Sequence, residues 1–483
     1  MNVAEPPTVS PPEPPRALAL PRQHPWLRRA HAYFSPGMWV IVGLALVSSA
    51  LIVAWPPAPR EGSPFWIYND VHRTTYEPFI AAWNRRHPDK AVDLILLHQT
   101  ALERRLLSGF LSGTPVADLV ELERAQAARA FAGPLSQVGF HDLTDRVHEE
   151  GLYDRINAPT WTPWISRGRV FGIPHDMNPV LLAYRADIIE AAGIDLPAQV
   201  ETWDDFYRVL RPLMQDLDGD GRHDRFLLNG STNNELFLEI ILRQAGGRFF
   251  DDEERLCFND PVNARTLAHI TTWLTGPRRM CTDAPEYSAA GHKMRLDGTV
   301  LCAVIPDWMT GQWKRELPGL SGKLKLMPVP AFTRGGRRTS VYGGSMIGVT
   351  KTAPDFEAAW DFANALYMSP ESAEVLYRGT GIVSPVKELW SLPIYHQPDP
   401  YFCGQPAGAL FIAQAPDIPL RTASSYERIA IERLLTVATL LVAYADREQK
   451  FTVDELVPEA QRLLDIEHAA IDAQMKRNVF LQE

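Results

Sequence analysis

Cysteine is scarce: four in 483 residues, at positions 257, 281, 302 and 403, and their spacing matches no zinc pattern. Basic charge is short as well. Lys and Arg total 48 against 58 Asp and Glu, a net charge of -10, and no basic tract interleaved with aromatics offsets it. This excludes a general nucleic-acid binder; the anionic excess otherwise speaks to solubility. Catalytic signatures are missing too: there is no G-x-S-x-G elbow, no H-E-x-x-H, no Walker loop and no G-x-G-x-x-G, and the thirteen histidines are scattered. The adjacent pairs Asp251-Asp252 and Glu253-Glu254 sit in a polar stretch and read as a solvated loop. These absences weigh little against glycoside chemistry, which needs two carboxylates and no simple motif. Internal repeats are absent, so the chain is not a solenoid or a barrel of even units.

What is present begins with two unusual N-terminal segments. Residues 1–36 open with eight prolines in the first 25 and read as a disordered, proline-rich tail. "GMWVIVGLALVSSALIVAW" then runs uncharged over 37–55, long enough to cross a hydrocarbon core of roughly 30 Å. Trp39 and Trp55 stand near its ends, and Arg28 and Arg29 precede it. Residues 37–56 therefore read as a single-pass transmembrane anchor with a cytoplasmic tail and an extracytoplasmic main domain. A cleaved signal peptide is the competing reading, although "PPAPREGSP" offers no small-x-small site. Export permits disulfides; four cysteines allow three pairings, and free buried thiols are equally compatible with the spacing.

The rest, with 46% hydrophobic and 22% charged residues over the whole chain, has ordinary globular composition. "PFWIYND" is a strand pattern, and in "YEPFIAAWNRRHP" Tyr76, Phe79, Ile80 and Trp83 share one helix face before His87-Pro88 stops it. "AVDLILL" is the next strand, so strand, helix, strand predicts a parallel βαβ unit. "GTPVADLVEL" adds a buried strand. Thr202 and Asp205 in "ETWDDF" have capping-box spacing. "NNELFLEIILRQAGG" and "PVNARTLAHITTWLTG" are helices, "GTVLCAVIPDW" a strand running into an aromatic loop, and 424–475 mostly helical. Phe356, Ala359, Trp360, Ala363, Leu366 and Tyr367 form a core stripe. The fold class is α/β, long enough for two lobes.

"DLDGDGRHD" places Asp216, Asp218, Asp220, Gly221 and Asp224 at positions 1, 3, 5, 6 and 9 of a calcium loop. Position 12 is Leu227 in place of the bidentate Glu, so a structural calcium site and a plain polar turn both fit; no other cofactor is implied.

The order of segments resembles the extracellular solute-binding proteins of ABC transporters, the maltose-binding-protein-like group that takes sugars. "FWIYNDVHRTTYEPFIAAWNRRHPDKAVDLILL" is similar to that family's opening strand, helix and strand, and "LLSGFLSGTPVADLVEL" to its next loop and strand. "VFGIPHDMNPVLLAYRADIIEAAGIDLPAQVETWDDFYRVLRPL" is the most specific match, with Phe171 where the family often has tyrosine. "LDGTVLCAVIPDWMTGQW" and "VYGGSMIGVTKTAPDFEAAWDFANALYMSPESAEVLYRGTGIVSPV" complete a match over about 64–392. The resemblance implies a two-lobed periplasmic-binding-protein fold with an interlobe cleft: lobe one from 64–165 and 340–392, lobe two from 166–339 and 393–483. It implies that the protein is no enzyme and has a sugar-like ligand and ABC permease subunits as partners. The retained transmembrane helix departs from the family's usual release or lipid anchoring, which keeps a ligand sensor or a glycan-processing enzyme as alternatives.

A sugar cleft needs flat aromatic faces and planar polar groups. On the implied fold the candidates are Tyr68, Asn69 and Asp70 after the first strand, Glu123 and Arg124 after the third, His175, Asp176 and Asn178 after Gly-Ile-Pro, and Asn229. Asp307 and Trp308 end the "LCAVIPDW" strand; Tyr342, Gly344 and Ser345 flank or form the glycine pair; Arg378 precedes Gly379. Trp308 is placed where the family commonly stacks an aromatic. The glycine pair suits a crossover strand whose amides a ligand approaches closely.

Overall fold

The computed structural model describes residues 35–54, 62–216, 219, 221 and 223–477. The proline-rich tail up to residue 34, Trp55, and Asp218 and Asp220 of the calcium loop lie outside the described residues. The chain separates into two units, Met1–Arg60 and Glu61–Glu483.

The first unit contains α1 (Pro36–Ala54), which has no acidic residue in its first turn and no basic residue in its last. Val40, Ile41, Leu44, Leu46, Val47 and Leu51 are exposed. Among the described residues no helix is long and apolar enough to cross a membrane; in α1 the described side chains run unbroken only over 37–51.

In the second unit β1 (Ser63–Ile67) leads into α2 (Asp70–Arg86), capped by the Asn69 side chain, which accepts the Val71 N–H. Tyr76, Ile80 and Trp83 of the predicted face are buried, and Phe79 packs against them half-buried. β2 (Val92–Leu96), α3 (Gln99–Ser112), β3 (Leu119–Glu123) and α4 (Arg124–Ala130) follow. Next come β4 (Ile173–Pro174), β5 (Val180–Arg185) and α5 (Trp203–Leu210). α5 opens with the reciprocal cap that "ETWDD" predicts: Asp205 N–H donates to the Thr202 hydroxyl and Thr202 N–H to the Asp205 carboxylate. The chain continues through β6 (Phe226–Asn229), α6 (Glu235–Gln244), α7 (Pro261–Leu274), β7 (Cys281–Thr282) and β8 (Val300–Pro306). The segment after β8, expected as a loop, is the first turn of α8 (Asp307–Glu316). β9 (Leu324–Pro328), β10 (Ser345–Val349), α9 (Phe356–Met368), α10 (Pro370–Thr380), α11 (Glu427–Glu448) and α12 (Val453–Arg477) follow, with shorter helices and a two-stranded ribbon between the named elements.

Two five-stranded sheets result. The first runs β2-β1-β3-β10-β4. β1 is parallel to β2 and β3, as the βαβ pattern requires, while β10 is antiparallel to β3 and to β4. The second runs β9-β5-β8-β6-β7, with β5 antiparallel to both neighbours and β8, β6 and β7 parallel. β10 and β8 are buried along their whole length, in keeping with the apolar run of β8 and of Met346–Val349 in β10. Helices α11 and α12 seal the second core through Leu434, Leu441, Leu456 and Leu464.

One sequence expectation changes, and one open alternative is decided. The Gly-Ile-Pro strand, placed in lobe two with a boundary at 165/166, pairs with β10 through Ile173 and Ile347, so it belongs to lobe one and the crossover starts at His175. All four cysteines are free. Cys281 and Cys302 both pair with Leu228 from opposite sides; two strand spacings, roughly 9.5 Å, separate them, too far for a disulfide.

Candidate functional site

The chain crosses between the sheets at 175–179 and returns at 339–344. The two segments run side by side: Pro179 bridges Val341, and the Tyr342 N–H donates to the Asn178 carbonyl at 3.4 Å. Beside them lies a cavity of about 550 Å³ lined from both lobes. Lobe one supplies Tyr68, Asn69, His72, Gln99, Glu123, Arg124, Asp176 and Ser345; lobe two supplies Glu235, Tyr287, Trp308, Gln312, Arg315, Tyr342 and Arg428. Its size is that of a small-ligand site.

The glycine pair shapes this wall. Gly343 and Gly344 have φ of +98° and +124°, a region that side chains other than glycine rarely adopt. A Cβ on Gly343 would lie 2.8 Å from Trp308 Nε1, and one on Gly344 would lie 3.3 Å from Arg421 Nη2. Both carbonyls are used as well: Gly343 accepts from Arg421 Nη1 at 2.6 Å and Gly344 from the Arg124 N–H at 3.1 Å. Trp308 is held by its own Nε1–H, which donates to the Tyr342 carbonyl at 3.2 Å.

The polar floor is ordered in the same way. Tyr68 Oη and Ser345 Oγ share a hydrogen bond of 2.7 Å. Asp176 Oδ1 accepts from the Ser345 N–H at 3.0 Å and from Asn178 Nδ2 at 2.8 Å. Asn178 adopts φ +55°, a conformation asparagine tolerates better than most residues.

Behind the floor sits a buried network. Glu121, wholly inaccessible, meets His72 Nδ1 at 2.7 Å, Tyr76 Oη at 2.7 Å and Tyr367 Oη at 2.9 Å. Tyr76 Oη also meets His175 Nε2 at 2.7 Å. Burial pushes the Glu121 carboxyl up, but the charges of His72 and His175 and the hydrogen bonds from His72 and Tyr76 outweigh it and hold it at about 2. For His72, burial acts downward and the Glu121 carboxylate overrides it, so its imidazole is raised above the ordinary value. Donor atoms of His72, Glu121 and His175 approach within 4.8 Å of one another. Hydrogen bonds already occupy this space, so the group is a polar core and not an open coordination sphere.

At the far end of the cleft the lobes meet through ions. Arg124 of α4 reaches Glu239 of α6 at 3.1 Å and also pairs with Glu427 of α11. Arg243 bonds the same two carboxylates at 2.8 and 3.0 Å. Burial would raise Glu239, yet Arg124, Arg243 and Arg421 bring its carboxyl to about 2. Burial and the neighbouring Arg124 and Arg243 lower Arg421 to about 9.

Of the residues singled out from sequence, Tyr68, Asn69, Glu123, Arg124, Asp176, Trp308, Tyr342, Gly344 and Ser345 line the cavity. His175 and Asn178 stand buried just behind it. Asp70 is exposed on the first turn of α2 and paired with Arg73. Asn229 is engaged by Glu286 and the Ala284 N–H. Asp307 is fully buried, its oxygens accepting the Trp308 and Val383 N–H groups, and burial raises its carboxyl. Arg378 is exposed on α10. In the calcium stretch both Asp216 oxygens accept backbone N–H groups, from Gly219 and Gly221, and Leu227 is fully buried. Sequence reading missed His72, Gln99, Glu235, Tyr287, Gln312, Arg315 and Arg428. Their positions on helices and in a loop, away from strand ends, gave no signal; for His72 the spacing of three from Asn69 along α2 was the one available clue.

Known proteins resemble this chain in fold and in sequence. The sugar-binding protein MalE from Xanthomonas citri superposes with a TM-score of 0.69 at 17% identity, covering 87% of this chain and 100% of that one. The arabinooligosaccharide-binding protein of Halalkalibacterium halodurans is 22% identical over 342 residues, 70% of this chain and 74% of that protein. The protein of the same name from Bacillus subtilis is 24% identical over 333 residues, 68% and 74% of the two chains. The two-lobed α/β architecture is thus that of the MalE-type binding proteins. Residues 69–372 match the family described as bacterial extracellular solute-binding protein, and the chain belongs to that family.

Proposed function

We propose that this protein binds an oligosaccharide in the interlobe cleft and delivers it to an ABC transporter permease, with arabinooligosaccharides the first class to test. The carrying observation is the cleft itself: about 550 Å³, with the aromatic rings of Tyr68, Tyr287, Trp308 and Tyr342 beside Glu123, Asp176 and Arg315. Such a wall offers stacking surface for sugar rings and bidentate partners for hydroxyl pairs. The relatives' names support the ligand class. The protein is read as a carrier that returns the saccharide unchanged. Its anchor is α1, uncharged over 19 residues, with the second unit extracytoplasmic. The stretch 216–224 is carried as a structural calcium loop, to be tested by a calcium-dependent rise in Tm.

Thermal unfolding of the full chain in detergent with arabinooligosaccharides, maltotetraose and β-1,6-galactobiose tests the function. A true ligand at a hundredfold excess over Kd stabilises the folded state by about 2.7 kcal/mol. No shift with any saccharide overturns the reading, and cleaved products would convert it to an enzyme. Recovery of the full chain in the membrane fraction, and release after deletion of residues 1–56, tests the anchor.

A further inference from the structure

Three consecutive carbonyls of the return crossover are claimed by three different parts of the molecule. Tyr342 accepts from Trp308 Nε1, Gly343 from Arg421 Nη1 and Gly344 from the Arg124 N–H. Trp308 and Arg124 line the cleft, whereas Arg421 stands behind it. Its Nη2 lies 3.3 Å from the place a Gly344 Cβ would take. Arg421 belongs to the segment leading into α11, and its own N–H donates to Thr162 Oγ1 of lobe one at 3.1 Å. One residue therefore ties lobe one, the crossover and the approach to α11. Its charge is the anomaly. Arg421 is only 4% exposed, and Glu239 and Glu427 are already shared by Arg124 and Arg243. Among the described residues no carboxylate pairs with Arg421, and its one side-chain hydrogen bond is the 2.6 Å contact with the Gly343 carbonyl. Burial and the charges of Arg124 and Arg243 all disfavour its charged form. A buried cation without a counter-ion costs stability.

We propose that Arg421 is a positioning residue of the cleft: its guanidinium fixes the Gly343 peptide, and through it the Tyr342 carbonyl that holds Trp308. Two successive glycines have the freest backbone a chain offers, so the peptide planes at 342–344 must be oriented from outside. The bond from Arg421 is charge-assisted and the shortest of the three. Without it the Gly343 plane can turn, the Tyr342 carbonyl turns with it, and the Trp308 indole loses its acceptor. Arg421 touches no ligand; it acts through Trp308 and Tyr342, which line the cleft. The fold thus carries an uncompensated buried charge that serves the wall and not the core. The inference rests on the cleft being the saccharide site.

Three measurements on the full chain in detergent test it, with Arg421→Met, which keeps the apolar stem and deletes donor and charge. Tryptophan-selective ¹⁵N NMR without ligand, the Trp308 indole being assigned by its loss in Trp308→Phe, should show that resonance shifted in Arg421→Met. Arg421→Lys, which keeps a charged donor, should move it back toward wild type. An unmoved indole in Arg421→Met overturns the inference. Calorimetric titration with an arabinooligosaccharide should show affinity roughly tenfold weaker in Arg421→Met, the order of one hydrogen bond to a charged group, and largely recovered in Arg421→Lys. Urea melts of Arg421→Met should show a midpoint no lower than wild type, because the deleted cation had no counter-ion. Unchanged affinity overturns the proposal, and so does a loss of stability as large as the loss of binding, which marks a structural residue. If Arg421→Met does not fold, Arg421→Gln, whose arm is too short for the Gly343 carbonyl, replaces it; failure of both to fold also marks a structural residue. The indole readout needs no ligand, so failure of every saccharide to bind counts against the function, and an unmoved indole against this inference.

Discussion

Gly344 and Glu121 show how single residues set the cleft. At Gly344 a side chain must adopt φ +124° and meet Arg421, Trp164 and Asn178 at 3.3 to 3.5 Å. Gly344→Val is expected to cost about 1–3 kcal/mol of stability from backbone strain and to weaken saccharide binding by more than that loss explains; equal losses in urea melts and calorimetry would make the glycine purely structural. Glu121 carries a pH prediction. Its folded carboxyl sits at about 2, below the ordinary value. The stabilisation it gives is fully present above the unfolded carboxyl range and is lost as pH falls through about 2. His72 runs the other way: raised in the fold, it stabilises below its ordinary value and loses this as pH rises through the folded one. Urea melts from acid to neutral pH should show a shallower acid limb in Glu121→Gln than in wild type, since Glu239 keeps its own contribution, and the variant also loses about 3–5 kcal/mol near neutrality by stranding His72. Residue-level legibility followed one rule. Polar and aromatic residues at strand ends were visible, and eight of them line the cavity beside Gly344. The rule failed where the backbone claims the side chain, as Val383 N–H does with Asp307, since such partners are distant in sequence.

Elements were easier to read than contacts because their signals are local. The Thr202–Asp205 cap and the Tyr76–Ile80–Trp83 face depend on neighbours within one or two turns. Thr202→Ala should cost about 1 kcal/mol in a urea melt and leave saccharide affinity untouched; α5 stands outside the cavity lining, so a change in affinity would show that lobe two transmits strain. The boundary of lobe one was harder. Ile173–Pro174 is only two residues long, and its sheet is chosen by pairing with Ile347, more than 170 positions away. The aromatic segment after β8 was misread as a loop for a related reason: α8 begins at Asp307 without a side-chain cap to announce it.

At the scale of the whole second unit, two cores built on two sheets must move as partners if a cleft is to close on a ligand. The crossover segments at 175–179 and 339–344 give the covalent link, and Arg124 gives an electrostatic one. It leaves lobe one at the start of α4 and reaches Glu239 and Glu427, which stand on lobe two beside Arg243. All four side chains are nearly inaccessible, so the pairing is unscreened, and removing one member leaves buried carboxylates undercompensated, a loss of about 3–5 kcal/mol. The ion cluster ties the fate of one core to the other. Arg124→Met, which keeps the apolar stem and deletes the charge, should therefore split the single calorimetric unfolding transition into two and speed ligand release. One undivided transition at the wild-type Tm, with an unchanged off-rate, would place the coupling in the crossover strands alone.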